Sequence, residues 1–235
     1  MRPFKTSVYE PDLLKEGVYD PNIFKAVFLA GGPGSGKSYV TSKVIGGLGL
    51  RIVNSDRFFT RLLKKSELSL KMPDSEEHER NQKLVKAKEL TAAQTKILMK
   101  GRLGMVIDGT GGNYKIIEDQ VEELRKVGYD CYMIFVNTSL EVALQRNENR
   151  DRILPEKIVR DSHRAVTQNL GGFQGLFGGS NFLIVDNNEH VEEEKAQKRF
   201  NMLVKQGIGK FIRRPLKNKR GLSWIRKNKI LKKGK

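Results

Sequence analysis

Eight residues, "GGPGSGKS" at positions 31–38, constrain this chain more than any other stretch. They fit the pattern G-x-x-x-x-G-K-[ST], whose glycines let successive backbone N–H groups turn inward onto phosphate oxygens. The apolar run "AVFLA" (26–30) precedes them and a predicted helix begins near Lys37. That strand–loop–helix setting is the one the pattern requires. The candidate nucleotide-binding residues are therefore Gly31, Gly32, Pro33, Gly34, Ser35, Gly36, Lys37, Ser38 and Tyr39. In such a loop Lys37 reaches the β- and γ-phosphates, Ser38 ligates Mg²⁺, and the helix N-terminus favours the negative charge. The plain alternative is an ordinary glycine-rich turn.

The rest of the chain alternates short apolar runs with helical patterns. "RIVN" (51–54), "GMVID" (104–108), "CYMIFV" (131–136) and "FLIVD" (182–186) read as further strands. Helices are predicted over 56–65, 76–100, 114–127 (stopped by Gly128), 139–150 (capped by Ser139), 155–170 (with Pro155 at its first position) and 189–206. "GGFQGLFGGS" (171–180) reads as a flexible connection, either a linker or a mobile loop near the adenine. Apolar strands alternating with helices predict an α/β fold. The expected form is a three-layer P-loop NTPase sandwich, with a parallel sheet of about five strands covered by helices on both faces. A chain of 235 residues suits one well-cored domain. We divide it into an N-terminal arm (1–25), a P-loop domain (26–209) and a basic tail (210–235), with the tail expected to be mobile.

Three further features bear on chemistry. Asp108 ends the third strand, where a second acidic group would sit near the metal; a strand-ending turn residue is the alternative. Thr110 and Gly111 follow, at the place of a switch or substrate loop. Asp56 stands just after the second strand, on the same edge of the sheet, where a carboxylate can take the proton of an attacking hydroxyl. It could instead cap the following helix. In "LQRNENRDRILP", Arg146 and Arg150 are four apart and share a helix face, and Arg152 follows. Arginines so placed neutralise charge as a phosphoryl group moves; a solvated charged helix is the alternative.

In this order, "GGPGSGKS", "NSD", "IDGTGGN" and "RNENRDRILP" resemble the small P-loop kinases of the zeta toxin and bacteriophage polynucleotide kinase group. The resemblance runs from about Ala26 to Asn187. It implies ATP and Mg²⁺ held by Lys37 and Ser38, Asp56 as the acceptor-side base, and Arg146 and Arg150 as lid arginines. The group often carries an arginine three residues after the Asp, whereas this chain has Phe59 there, flanked by Arg57 and Arg61. Other runs look like phage-encoded kinases of the group, which implies a host bacterium.

Charge narrows the partners. The chain holds 44 Lys/Arg and 27 Asp/Glu, and residues 210–235 contain 12 of the cations and no acid. Such a segment suits a polyanion, and its Phe211 and Trp224 could stack bases. A nucleic-acid acceptor is therefore expected, such as a 5′-hydroxyl end or a hydroxymethylated base. A small nucleotide or sugar nucleotide is the second candidate, and a nucleic-acid-binding ATPase the third. The tail could equally aid solubility or dock on a protein. No N-K-x-D motif marks a GTPase. His78, His163 and His190 are too scattered for a metal cluster. Cys131, the single cysteine, rules out an internal disulfide and sits in an apolar run, so a buried thiol is expected. No membrane span or secretory signal is read, and the expected compartment is the cytoplasm.

Overall fold

The computed structural model describes residues 20–45, 48–150, 152–188 and 194–233. Most of the expected arm at 1–25, with Asp151, His190 and Lys235, lies outside them. The strands are β1 (Lys25–Ala30), β2 (Arg51–Asn54), β3 (Met105–Asp108), β4 (Asp130–Asn137) and β5 (Phe182–Asp186). They form one five-stranded sheet in the order β2-β3-β1-β4-β5, and every pairing is parallel. In β1, Ala26, Phe28 and Ala30 enter one core while Val27 and Leu29 enter the other. A strand apolar on both faces needs a layer on each side, which is the parallel-sheet condition.

The helices are α1 (Lys37–Tyr39, continued by a π-type turn over Val40–Val44), α2 (Ser55–Lys65), α3 (Glu77–Gly101), α4 (Tyr114–Val127), α5 (Leu140–Glu148), α6 (Glu156–Gln168), α7 (Leu170–Phe177), α8 (Glu194–Arg213) and α9 (Lys219–Lys233). One face of the sheet is covered by Leu98 and Met99 of α3, Val121 and Leu124 of α4, and Phe173 and Phe177 of α7. The other is covered by Val40 and by Phe200, Val204, Ile208 and Phe211 of α8. Phe59 and Leu63 of α2 pack on Ala87 of α3 in a smaller cluster. None of the described helices is long and apolar enough to cross a membrane. Pro155 stands at the N-cap of α6 rather than at its first position.

Two further expectations are corrected. The glycine-rich stretch 171–180 is mostly helix α7 and not a flexible connection. Phe173 and Phe177 lie one turn apart and are both buried, and the Asn169 side chain donates to the carbonyls of Gly111 and Gly112 at 2.9 and 3.0 Å. Packing thus outweighs the helix cost of glycine.

The described part of the basic tail, up to residue 233, is also not mobile on its own. Phe211 ends up 1% exposed and stacked on Tyr132, with ring centroids 5.0 Å apart. Trp224 of α9 meets Phe24 edge-on at 5.5 Å. Asn218 accepts from the backbone N–H groups of Arg220 and Gly221, and its amide donates to the carbonyls of Arg125 and Tyr129. Gly221 crosses Gly128 so closely that a Cβ on either would strike the other's backbone. The aromatics expected to stack bases are therefore engaged inside the protein.

Candidate active site

Parallel strands bring all their carboxyl ends to one edge, and the loops there build a cleft of about 440 Å³. Lys37, Ser38, Asp56, Asp108, Arg146 and Arg150 all line it, with Pro33, Gly34 and Gly36. Residues 37 and 150 are thus joined in space by topology alone. Gly31, Gly32 and Ser35 belong to the loop but do not line the cleft. Tyr39 turns away from it: its hydroxyl accepts from Asn201 Nδ2 at 2.9 Å and its ring lies by Phe200.

The loop holds its curve with positive φ at Gly34 (79°) and Gly36 (96°). A Cβ at Gly34 would strike the backbone of Ala143, and one at Gly36 the side-chain amide of Asn187. Lys37 Nζ donates to the carbonyls of Gly31 (2.6 Å) and Gly32 (2.9 Å). Burial holds its pKa below the usual lysine value, while Asp108 and Asp56 push the other way.

Asp108 ends β3 opposite Asn54 of β2 in register. Asn54 Nδ2 donates to Asp108 Oδ2 at 2.5 Å, and Asn54 Oδ1 accepts from the N–H of Arg57. Burial raises the Asp108 pKa, opposed by Lys37 and by the Asn54 bond. Asn54 is thus the cap of α2, and Asp56 is not. Asp56 is left free to face the cleft from the first turn, where its Oδ1 pairs with Arg152 Nη2 at 3.1 Å.

Arg146 donates to the carbonyl of Asn187 at 2.9 Å. Asn187, which follows β5, in turn donates to the carbonyl of Ser35 at 2.8 Å, linking α5 to the phosphate loop. His163 bonds the carbonyl of Thr138 at 2.7 Å and packs over Gly32, so it ties α6 to the end of β4. Phe59 is buried, and the Arg152 guanidinium lies over its ring at 5.4 Å.

Two residues, Asn54 and Asn187, and one pairing, Arg152 with Asp56, escaped the sequence reading. Asn54 was visible as a cap type before a helix, but its bond to Asp108 depends on strand register. Asn187 and the Arg152–Asp56 pair join positions far apart in the chain, and no local pattern carries them. Among the described residues no group of three or more His, Cys, Asp or Glu could hold a metal ion. The hard oxygens of Ser38 and Asp108 fit Mg²⁺, which takes one or two protein ligands and completes its shell with water and phosphate oxygens.

The zeta toxin family model matches residues 18–193. No curated protein matches the sequence. Among solved structures, a Chloroflexus aurantiacus protein provisionally described as a kinase is 15% identical, with a TM-score of 0.55 over 79% of this chain and 98% of that one. The AvrRxo1-ORF1:AvrRxo1-ORF2 complex with ATP is 14% identical, with a TM-score of 0.56 over 82% and 71%. The PezAT toxin–antitoxin system of Streptococcus pneumoniae is 14% identical, with a TM-score of 0.50 over 91% and 100%. At these identities the structures share the fold.

Proposed function

The chain belongs to the zeta toxin family, and from that premise we propose that it is an ATP-dependent kinase that phosphorylates a hydroxyl, with a nucleic-acid acceptor as the leading case. The observation that carries this reading is the single cleft lined by Lys37, Ser38, Asp56, Asp108, Arg146 and Arg150. We take residues 26–209 as the kinase domain.

In this reading the N–H groups of the 31–38 loop hold the β- and γ-phosphates, and Lys37 exchanges its bonds to Gly31 and Gly32 for phosphate oxygens. Mg²⁺, held by Ser38 and Asp108, would neutralise phosphate charge. Asp56 accepts the proton of the acceptor hydroxyl as the new O–P bond forms and the bond to the leaving ADP breaks. Arg152 holds that carboxylate in place through its 3.1 Å pair. Arg146 and Arg150 balance the charge spread over the moving phosphoryl group. Exposed cations of the tail, such as Lys219, Arg226 and Lys227, would touch phosphates away from the cleft.

A small nucleotide or sugar-nucleotide acceptor is the second reading. It is favoured by the engagement of Phe211 and Trp224 in the protein core, which removes base stacking by the tail. The test is incubation with γ-labelled ATP and Mg²⁺, adding in turn 5′-hydroxyl DNA, RNA, hydroxymethyluracil DNA, nucleosides and UDP-sugars. Label moving to a polymer supports the leading case, and label on small acceptors alone the second. Label released only as free phosphate points to an ATPase and defeats the kinase assignment for these acceptors. A phage origin would place the reaction in the host cytoplasm.

A further inference from the structure

A second cleft, of about 740 Å³, adjoins the first through Ser38, Asn54, Asp56, Arg150 and Arg152, which line both. Its far wall is one face of α2, and the half-buried Thr60 stands in that wall. On a helix, the residues three and four positions away are a side chain's neighbours. For Thr60 these include Asp56 and Arg57 on one side and Lys64 on the other, and all three line the same cleft. Among the side chains of this lining, Ser38 and Thr60 are the two that carry a hydroxyl. Ser38 is the candidate Mg²⁺ ligand, which leaves Thr60 without an assigned role.

The Thr60 hydroxyl differs from those of the other helical threonines. Thr41, Thr91, Thr95 and Thr167 each donate to a carbonyl about one turn back, at 2.9, 2.7, 2.8 and 2.8 Å. That back-bonding is the common habit of threonine within a helix. Thr60 makes no side-chain hydrogen bond among the described residues. Its proton is therefore uncommitted, one helical turn from the Asp56 carboxylate. The surroundings also suit the product of its phosphorylation. Arg57, Arg61, Lys64, Arg150 and Arg152 line the cleft against the single carboxylate of Asp56, and a phosphothreonine offers three acceptor oxygens to such cations.

We propose that Thr60 is a phosphoacceptor built into the chain, a modification site that the protein fills from its own ATP and that limits its activity. The inference rests on the kinase reading. In this step Thr60 Oγ1 bonds to the γ-phosphorus, the bond from that phosphorus to the ADP oxygen breaks, and the hydroxyl proton passes to Asp56. The products are phosphothreonine and ADP. The new phosphate pairs with Arg57 and Lys64, one turn to either side. It then occupies the space from which an external acceptor would approach Asp56.

The test incubates the full chain, first treated with a phosphatase, with γ-labelled ATP and Mg²⁺ and no added acceptor. It compares the wild type with Thr60→Val and Thr60→Ser, reading protein-bound label by site mapping and phosphoamino-acid analysis. We expect phosphothreonine at position 60 in the wild type, phosphoserine there in Thr60→Ser, and loss of the label in Thr60→Val. Labelling per molecule should not change with protein concentration, as transfer within one chain requires. Prior incubation with ATP should lower transfer to an added acceptor in the wild type and not in Thr60→Val. Label that persists in Thr60→Val, labelling that rises with concentration, or an unlabelled wild-type chain that still labels an added acceptor overturns this inference and leaves the kinase reading standing. Undiminished transfer once Thr60 is filled overturns its limiting role. Label on neither the chain nor any acceptor, with an ATP analogue still bound, overturns both readings.

Discussion

Two groups of cations stand at opposite ends of the sheet, about 20 Å apart along a six-residue strand. At the carboxyl edge, Arg57, Arg61, Lys64, Arg150 and Arg152 line a cleft of about 740 Å³ in which Asp56 is the one carboxylate. At the amino edge, the basic segment from Lys210 is fastened down. Lys25 Nζ donates to Asp130 and to the carbonyl of Arg214. The backbone N–H groups of Lys217 and Asn218 donate to the Asp130 carboxylate. Read as sequence, the second group is the denser and looks the more functional. Read in space, only the first adjoins the phosphate loop. Charge density along a chain reports the partner's sign, while the cleft reports where chemistry happens.

The largest break in that comparison should come from Lys37→Met. It removes the donor proposed for the phosphates, and transfer should fall by about 10³. The same variant should be at least as stable as the wild type at pH 7. Burial lowers the folded-state pKa of Lys37 below its usual 10.5, so the unfolded chain binds the proton more readily. That cost is full below the folded pKa and fades as pH rises toward 10.5. Urea melts at pH 7 and at pH 9.5 should therefore show the gap between variant and wild type narrowing.

Next comes Asp130→Ala at the other edge. It leaves Lys25, with a side chain 5% exposed, as an unpaired charge, and should cost about 3 kcal/mol of stability. Transfer per folded molecule should be unchanged. Loss of transfer in correctly folded protein would show that the amino edge communicates with the cleft.

A smaller effect is expected of Arg226→Gln/Lys227→Gln. It should weaken transfer to a long polymer by a few-fold and leave a nucleoside 3′-monophosphate unaffected. Equal loss on both acceptors would erase the distinction between the two edges.

The smallest concerns Cys131, which lines a crevice with Arg214, Lys217 and Asn218 at the amino edge. Burial pushes its thiol up to about 12, so alkylation at pH 8 should be slow in the native protein and fast in urea. Trp224→Ala, which loosens α9, should speed native labelling by a few-fold. No change would mean that α9 does not guard this edge.

The sheet and the phosphate loop were legible because their signals are local. "RIVN" is a strand end to end, and the 114–127 helix stops at Gly128 as expected. Glycine count misled at 171–180, where the buried Phe173 and Phe177 were the better guide. Likewise in the tail, the cations hid Phe211, Leu216, Trp224 and Ile225, which pack on the body. The pairs that shape the cleft, Asn54 with Asp108 and Arg152 with Asp56, arise from strand register and loop crossing. No single stretch of sequence holds them.

If Asp56 serves the acceptor hydroxyl while the neighbouring loop holds ATP, the two roles should separate on substitution. The most direct measurement is Asp56→Asn, with ATP affinity by calorimetry and phosphoryl transfer by label on the same preparation. ATP affinity should stay close to that of the wild type and transfer should fall by about 10² or more. Transfer at the wild-type rate, or loss of ATP binding in the folded variant, would contradict that division of roles.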